Sequence, residues 1–399
     1  MADLGISLEW MRWRDLGVPP ESRFVTTLVV CLIACTLLYG LASVHRARLR
    51  RIPIRIHVAG TRGKSSAVRL IAAGLRAGGH RVVAKVTGTQ PRLVLPDADE
   101  QPIRRWGQPA IREQTSFLAH AVKAGADAIV AEAMAIQPEH LSVLERFYIR
   151  ATDLVITNVR PDHREHLGLA SDAMADAISE CIPAGGRLFL TREAAVGPIV
   201  ERASQRHCEV SIVDSDPDSD PEDANWRLAL AVCRAYGVST EDAERAMRLA
   251  SRDIGQFTIS RLLMDGRPID FANAFSCNDV ESFSRLWMRH QPPGRSAAFV
   301  LNPRADRPVR TVEFLKCLAR LAPDAQLFIS SRNPALRRRA VAHGFVPDRV
   351  HLVTPRMTEN GVRSMISRVR DGAVVWGVGN YRGAGAKLTM LVRGLSTSC

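Results

Sequence analysis

A short glycine-containing loop, Gly60-Thr61-Arg62-Gly63-Lys64-Ser65-Ser66, restricts the fold of this chain more than any other stretch of its 399 residues. It follows the apolar run 54–59, which is typical of a buried strand, and precedes residues 67–77, which are typical of a helix. Such a loop places backbone N–H groups and a helix N-terminus against a phosphate. The sequence therefore predicts a nucleotide-binding α/β unit; a tight turn that binds no phosphate is the alternative.

Two side chains of the loop are of the types that phosphate loops use. Lys64 would reach the outer phosphates, and the Ser65 hydroxyl would bind Mg²⁺. The general pattern G-x-x-x-x-G-K-[ST] has a glycine where this chain has Val58. What remains is the shorter form G-T-x-G-K-[ST].

Residues 24–44 contain no charged side chain and are long enough to cross a bilayer. At about 1.5 Å of rise per residue, a helix of this length spans roughly 30 Å, the thickness of a hydrocarbon core. A secretory signal peptide fits less well, because its apolar region is shorter and the end of this run, 42–45 (ASVH), matches a small-x-small cleavage site poorly. A buried helix is the other alternative. The sequence favours a single transmembrane anchor.

Basic residues are concentrated on one side of this anchor. Residues 45–51 (HRARLRR) follow it directly, whereas the three arginines before it are diluted by acidic residues. The more positive flank of a membrane helix stays in the cytoplasm. We therefore expect a single-pass protein of the cell (inner) membrane, with its N-terminus outside and its catalytic part in the cytoplasm, where ATP is found.

The composition excludes several classes of protein. The net charge is +13, and residues 1–44 contribute three arginines against four acids, so the remainder carries +14 and calls for an anionic partner. Nucleic acid is not favoured, because aromatic residues make up 6% and are not interleaved with basic ones. Eight cysteines without a C-x-x-C pair argue against zinc ribbons and disulfide frameworks.

From residue 52 onward, short apolar runs alternate with helical patterns, as in a parallel sheet covered by helices. In the first half the predicted strands are residues 54–59, 81–85, 128–133, 154–157, 187–190 and 209–213. In the second half they are residues 258–264, 268–272, 297–301, 326–330 and 373–378. The acidic run 214–223 lacks the glycine and glutamate of a calcium loop and is expected to be solvated.

Candidate ligands for a cation follow three of these strands, where open α/β sheets bind their ligands. Glu132 is interpreted as a Mg²⁺ ligand or as a cap for the next helix. Asp162 and His163 favour a Mg²⁺ or phosphate site over a plain turn or a zinc site, because the zinc-protease pattern H-E-x-x-H is missing. Thr89 either completes a Mg²⁺ shell or belongs to a plain turn.

Polar residues also crowd behind two strands of the second half, at 273–279 (NAFSCND) and 302–307 (NPRADR). This crowding predicts a face turned toward the nucleotide. Arg304 and Arg307 would meet phosphate or a carboxylate there; as lone surface arginines they would have no role. The glycine-rich segment 377–383 is either a ligand loop or a turn into the last helix.

Taken in order, these motifs resemble one protein family. The loop, Glu132, Thr157-Asn158 and Asp162-His163 resemble those of the Mur ligases and folylpolyglutamate synthases. Further segments resemble the ligase subunit of poly-γ-glutamate synthase, the PgsB or CapB type. They are residues 85–89 (KVTGT), 132–135 (EAMA), 273–275 (NAF), 304–307 (RADR) and 377–380 (GVGN). The resemblance covers about residues 52–390.

The fold that the resemblance implies is α/β, with a transmembrane helix, a central P-loop ATPase domain of the Mur-ligase type built on a parallel sheet, and a C-terminal Rossmann-like domain. The expected boundaries are an extracytoplasmic segment at 1–23, the membrane helix at 24–44, a basic segment at 45–51, the ATP-binding domain at 52–250 and the Rossmann-like domain at 251–399.

The activity that the resemblance implies is ATP-dependent amide ligation. ATP converts a glutamate γ-carboxyl to an acyl phosphate, and an amine displaces phosphate to extend poly-γ-glutamate. ATP and Mg²⁺, with Mn²⁺ as an alternative, are the implied cofactors. Glutamate or an acidic amino-acid oligomer is the implied substrate, and other membrane subunits of a synthesis and export complex are the implied partners.

The resemblance also implies roles for individual residues. The implied catalytic residues are Lys64, Glu132 and His163. The implied metal contacts are Ser65 and Glu132 for a first ion, His163 for a second, and Thr89. Asn225 would face the adenine, and Asn273 and Arg304 would reach the nucleotide from the second domain. The implied ATP-binding residues are thus Gly60, Thr61, Arg62, Gly63, Lys64, Ser65, Ser66, Asn225, Asn273 and Arg304.

Two departures from the Mur pattern affect these expectations. Mur ligases place a carbamoylated lysine near a second metal, but no lysine lies between Lys123 and Lys316, so how a second metal is held stays open. There is also no room for a nucleotide-sugar domain before the phosphate loop. The alternative function is a membrane-anchored nucleotide-binding subunit that gates or organises an export assembly without ligation.

Overall fold

The computed structural model describes residues 20–88, 91–105, 110–135, 137–160, 173–214, 221–250, 257–264, 266–277, 279–304 and 307–396. The chain forms two sheets, each covered by helices, and a long N-terminal helix. That helix, α1 (Pro20–Arg50), contains the predicted apolar run. By length and composition it can cross a membrane, and none of its apolar window is buried.

The first sheet has eight strands in the order β4-β3-β2-β5-β1-β6-β7-β8. The strands are β1 (Ile54–Ala59), β2 (Val82–Val86), β3 (Arg92–Val94), β4 (Glu100–Pro102), β5 (Ala128–Glu132), β6 (Asp153–Ile156), β7 (Arg187–Thr191) and β8 (Glu209–Val213). The six strands from β2 to β8 in this order are parallel, whereas β3 and β4 extend one edge antiparallel. The central position of β1 explains why five of its six residues are buried, since helices cover both of its faces.

Among the described residues, seven further α-helices belong to this part of the chain. They are α2 (Lys64–Ala77), α3 (Glu113–Lys123), α4 (Pro138–Val143), α5 (Ala173–Ser179), α6 (Gly197–Gln205), α7 (Pro221–Ala235) and α8 (Thr240–Leu249). A π-helical turn, Leu144–Ile149, continues α4. The apolar face of α2 packs on Ile56 and Val58 of β1 and against α7 and α8, which fixes the helix that begins at the phosphate loop.

The second sheet has six strands in the order β13-β12-β11-β14-β10-β9, with β9 antiparallel to β10. The strands are β9 (Thr258–Met264), β10 (Arg267–Asn273), β11 (Ala297–Asn302), β12 (Gln326–Ser330), β13 (Val350–Val353) and β14 (Val374–Gly379). The helices are α9 (Val280–His290), α10 (Pro308–Leu321), α11 (Pro334–Ala342), α12 (Glu359–Ile366) and α13 (Ala386–Ser396). Apolar clusters on the two faces of this sheet bury Phe275 and Trp376.

The predicted α/β fold with parallel sheets is confirmed, and each predicted strand matches an observed one within two residues. The sequence analysis missed β3, β4 and β13, and the antiparallel edges were not predicted. β3 and β4 are three-residue segments, too short for a periodic pattern. The expected domain boundary at 250–251 adjoins residues 251–256, which lie outside the described residues, and it stays a prediction.

Candidate active site

Two glycines shape the loop between β1 and α2. Gly60 has φ +126° and Gly63, where α2 begins, has φ +78°. A Cβ on Gly60 would lie 2.2 Å from the Thr157 hydroxyl oxygen, and one on Gly63 would lie 2.4 Å from Asn225 Nδ2. Both the backbone angles and these close approaches require glycine. The Asn225 amide therefore lies against the phosphate loop; whether it also faces adenine stays a prediction.

Residues that follow β6 hold the loop from one side. The Thr157 hydroxyl donates to the Arg62 carbonyl at 2.6 Å. The Asn158 side chain accepts from the Arg62 N–H at 3.0 Å and donates to the Arg62 carbonyl at 3.1 Å. The Thr61 N–H donates to the Asn158 carbonyl at 3.1 Å. Thr157 and Asn158, which the sequence identifies only as a motif, therefore fix the conformation of the loop.

The Lys64 ammonium is folded back over the loop that carries it. Its Nζ donates to the Gly60 carbonyl at 2.7 Å and to the Thr61 carbonyl at 3.4 Å. A positive charge is thus held at the mouth of the loop, where an anion would arrive. Ser66, in the first turn of α2, is half-buried beside it.

Ser65 and Glu132 bring two oxygen ligands together beneath the loop. The Ser65 hydroxyl donates to Glu132 Oε2 at 2.9 Å, and the Thr87 N–H donates to the same oxygen at 2.6 Å. Both side chains are buried. Mg²⁺ is usually held by one or two carboxylates together with hydroxyl, water and phosphate oxygens, so this pair fits the predicted cation.

The described residues contain no group of three or more His, Cys, Asp or Glu side chains that could hold a metal ion. A cation at Ser65 and Glu132 would therefore take further ligands from a bound triphosphate and water. Thr89 and His163, with its neighbour Asp162, lie outside the described residues. Their roles in metal binding stay predictions.

A buried lysine lies behind the Ser65–Glu132 pair. Lys85 of β2 is 1% exposed, with its Nζ 3.3 Å from Glu113 Oε2 and within hydrogen-bonding distance of Gln114 Oε1. Burial lowers the pKa of Lys85 to about 8, although the Glu113 carboxylate favours the charged form. Lys85 has no predicted role of its own, but a lysine inside an otherwise apolar strand is an unusual feature that could have marked it.

An ion pair joins the phosphate loop to the segment that precedes α9. Arg62 lies 3.1 Å from Asp279, which precedes α9 and accepts from the Ser282 N–H at 2.7 Å. Burial raises the pKa of the Asp279 carboxyl, but the Arg62 guanidinium and the bonds from Ser282 outweigh it and hold the pKa below its ordinary value. The carboxyl edge of the second sheet therefore borders the loop.

Asn273 ends β10 at this same edge, six residues before Asp279. It is 1% exposed, and neither its Oδ1 nor its Nδ2 has a hydrogen-bond partner in the part of the chain that the structure describes. Leaving a buried carboxamide unpaired costs free energy, so such a group is a candidate ligand contact. Arg304 follows β11 by two residues, and β11 is separated from β10 only by β14.

Comparison with known proteins shows the family to which this chain belongs. The family model described as the poly-gamma-glutamate synthase CapB C-terminal domain matches residues 259–395. PGA synthase CapB of Bacillus subtilis (strain 168) is 30% identical over 378 residues, which cover 90% of this chain and 95% of that protein. The chain belongs to the CapB family. A second CapB, named as a capsule biosynthesis protein, comes from Bacillus anthracis and is 30% identical over 89% of this chain and 80% of its own length.

Comparison with solved structures shows which known fold this CapB-family chain shares. E. coli FolC in complex with ADP matches with a TM-score of 0.68 at 15% identity, over 89% of this chain and 93% of that one. A bifunctional folylpolyglutamate synthase/dihydrofolate synthase from Yersinia pestis, complexed with AMPPNP and Mn ion, matches with a TM-score of 0.66 at 15% identity, over 88% and 92%. At this identity the likeness shows a shared fold, that of folylpolyglutamate synthase.

Proposed function

We propose that this chain is an ATP-dependent amide ligase that builds poly-γ-glutamate. The single observation that carries the proposal is a phosphate loop, in a chain of the CapB family, that carries both Lys64 and a Ser65 hydroxyl bonded to Glu132 at the end of β5. The basic globular part, at +14, suits a growing polyanion.

The proposed reaction has two steps. A γ-carboxylate oxygen attacks the γ-phosphorus of ATP, ADP leaves, and an acyl phosphate forms. The amine of an incoming glutamate then attacks the acyl carbon, phosphate leaves, and the nitrogen loses a proton as the amide forms. Both substrates of the first step are anions, so their approach requires positive charge at the loop.

The chain's own residues supply that charge and hold the nucleotide. Lys64 exchanges its loop carbonyls for the β- and γ-phosphates and stabilises the transferring phosphoryl group. Asn273 and Arg304 contact the nucleotide from the second sheet. Ser65 and Glu132 would hold Mg²⁺ or Mn²⁺, with Thr89 and His163 as further contacts, and this ion supplies Lewis-acid stabilisation of phosphate charge.

We further propose that α1 anchors the enzyme in the cell membrane as a single pass, with the N-terminus outside and the catalytic part in the cytoplasm. The charge-free run before residues 45–51 (HRARLRR) supports this orientation. A polymer that is made at a membrane also calls for export, so other membrane subunits are proposed as partners. Recovery of the chain alone from gently solubilised membranes would count against them.

The test is ADP release by the full chain in detergent, with and without glutamate or a glutamate oligomer, followed by mass spectrometry of the product. We expect glutamate-dependent release and γ-linked product, both lost in Lys64→Met and retained in the exposed control Lys123→Met. Release that is indifferent to every amino acid would refute ligation. If Lys64→Ala abolished ATP hydrolysis by the purified protein while cells carrying the variant still made the polymer, the chain would be a gating subunit instead.

A further inference from the structure

We infer that a second element beside the anchor contacts the lipid surface: residues 143–150, which comprise the end of α4, the π-helical turn and the residue after it, and which we name the interfacial turn. This inference rests on the proposed membrane anchor. It assigns to the catalytic unit a headgroup contact that fixes its orientation on the bilayer.

Helix α1 runs without a break from the charge-free run into the part of the chain that contains the first sheet. The helix continues to Arg50, and His45 and Leu49 near its end are buried against the first sheet's helices. Arg55 of β1 then donates to the Ile52 carbonyl at 2.7 Å, which fixes the exit from the helix. The catalytic unit is therefore held at a set distance from the charge-free run.

The interfacial turn lies at the end of that run. His45 directly follows Val44, the last residue of the run, and its Nε2 lies 3.1 Å from the Tyr148 carbonyl oxygen. The two rings meet edge to face with centroids 5.6 Å apart. If the run fills the hydrocarbon core, Tyr148 lies at the level of the headgroups, where tyrosine is enriched in membrane proteins.

The turn presents a surface of apolar and basic side chains. Phe147 is 64% exposed and Val143 is 37% exposed, and the arginines Arg146 and Arg150 are exposed beside them. Apolar side chains that alternate with arginine are typical of elements that lie in a membrane interface. The basic residues at the end of α1 continue this charge, which is complementary to anionic headgroups.

The turn is held in place from within. The buried Glu145 carboxylate accepts from the Ala151 N–H at 2.8 Å and lies 3.6 Å from the His57 ring of β1. The Arg55 guanidinium donates to the Arg150 carbonyl at 2.8 Å. Since the turn is tied to the sheet at both ends, Phe147 is kept on the outside beside the anchor.

The test uses the full chain, reconstituted in vesicles of phosphatidylglycerol and phosphatidylcholine, with p-benzoylphenylalanine at one position at a time. Position 147 reports on the turn, position 44 on the anchor, and position 249 serves as control, because Leu249 is 83% exposed on α8. After illumination, we expect position 147 to cross-link to lipid at a yield comparable to position 44, and at least about tenfold above position 249.

Three results would overturn the inference, and they differ from one another. No lipid cross-link at 147 with a strong one at 44 would leave the anchor intact and remove the headgroup contact. A cross-link from 147 to protein in native membranes would make the turn a subunit contact instead. Failure at both 147 and 44 would refute the anchor itself.

A charge reversal tests the headgroup preference separately. Arg146→Glu should lower the lipid cross-link from position 147 at least about fivefold in anionic vesicles, since each basic residue near such a surface contributes about fivefold in affinity. The matched control is Arg356→Glu, an exposed arginine of the second unit, which should change nothing. An equal yield for Arg146→Glu and the wild type would contradict an electrostatic contact. ATP hydrolysis in detergent should be unaltered in both variants.

Discussion

Replacing Glu132 by glutamine separates the fold of the site from its proposed cation. Two donors, the Ser65 hydroxyl and the Thr87 N–H, converge on Oε2 of Glu132. The amide oxygen of glutamine can accept both of them. Both donors keep an acceptor, and the cost is confined to the new amide N–H group in place of Oε1, so we expect Glu132→Gln to lower the free energy of unfolding by only about 1–3 kcal/mol.

The same substitution should weaken cation binding strongly. A carboxylate and a divalent cation about 4 Å apart attract each other by about 8 kcal/mol at the effective dielectric of roughly 20 found in proteins. Part of this attraction is offset, because the carboxylate loses more hydration energy on binding the ion than a neutral amide does. A net loss of about 3 kcal/mol corresponds to a roughly 100-fold rise in the Mg²⁺ concentration for half-maximal activity. Ser65→Ala should show a smaller effect, and Ser65→Thr, which keeps a hydroxyl, should be mild.

The assay is a Mg²⁺ titration of glutamate-dependent ADP release at saturating ATP, with thermal unfolding measured on the same preparations. Glu139→Gln is the matched control, because Glu139 is exposed in α4. A folded Glu132→Gln protein whose half-maximal Mg²⁺ lies within threefold of the wild type would refute the assignment of Glu132 as a cation ligand. Loss of folding would instead show that the carboxylate is structurally required.

Three further predictions follow from the site. Gly63→Ala should cost about 1–2 kcal/mol of stability because of its positive φ, and more because the new Cβ would contact Asn225. In denaturation experiments, the double variant with Asn225→Ala should recover only the cost of that contact. No recovery would contradict the contact. Asp279→Asn keeps an N-cap but removes the charge opposite Arg62, and should lower the free energy of unfolding by about 1 kcal/mol at neutral pH. Because the pKa of Asp279 is depressed in the folded protein, the difference from the wild type should disappear as the pH falls through that pKa. A constant difference down to pH 2 would be inconsistent with the ion pair. Burial lowers the pKa of Lys85 to about 8 from an ordinary 10.5, so between these pH values the folded chain binds fewer protons than the unfolded chain, and its stability should rise with pH there by about 3 kcal/mol. Denaturation of Lys85→Met at several pH values should lack this rise. An identical rise in the variant would assign it to another group.

The sequence was sufficient to predict the phosphate loop and its neighbouring elements, because local chemistry determines them. The run 54–59, the glycines at 60 and 63 and the following helix are specified by adjacent residues, and β1 and α2 are found there. Glu132 was predicted as a strand-end acid, and it does lie beside Ser65. Parallel pairing of β5 with β1 brings it there, and this pairing follows from the α/β alternation.

What the sequence could not give depends on contacts between distant residues. Lys85 meets Glu113 across a loop, and Arg62 meets Asp279 across 217 positions of sequence, so no periodic pattern reports either pair. The two hydrogen bonds between the Asn158 side chain and the Arg62 backbone likewise require β6 to lie next to β1. Element type is local and was predicted well, whereas partner choice is set by the tertiary fold.

The long helix enters the protein where the strands of the first sheet begin, and this sets the direction in which chemistry faces. Leu49 and Ile52 pack at the start of β1, while Gly60 follows its other end. Six residues of extended chain separate the two ends by roughly 20 Å. If α1 is the membrane anchor proposed above, newly joined glutamates would appear on the side of the enzyme turned away from the lipid. Any route to the outside must pass around the flank of the sheet, so an export channel would have to receive the polymer from the side rather than from beneath the enzyme.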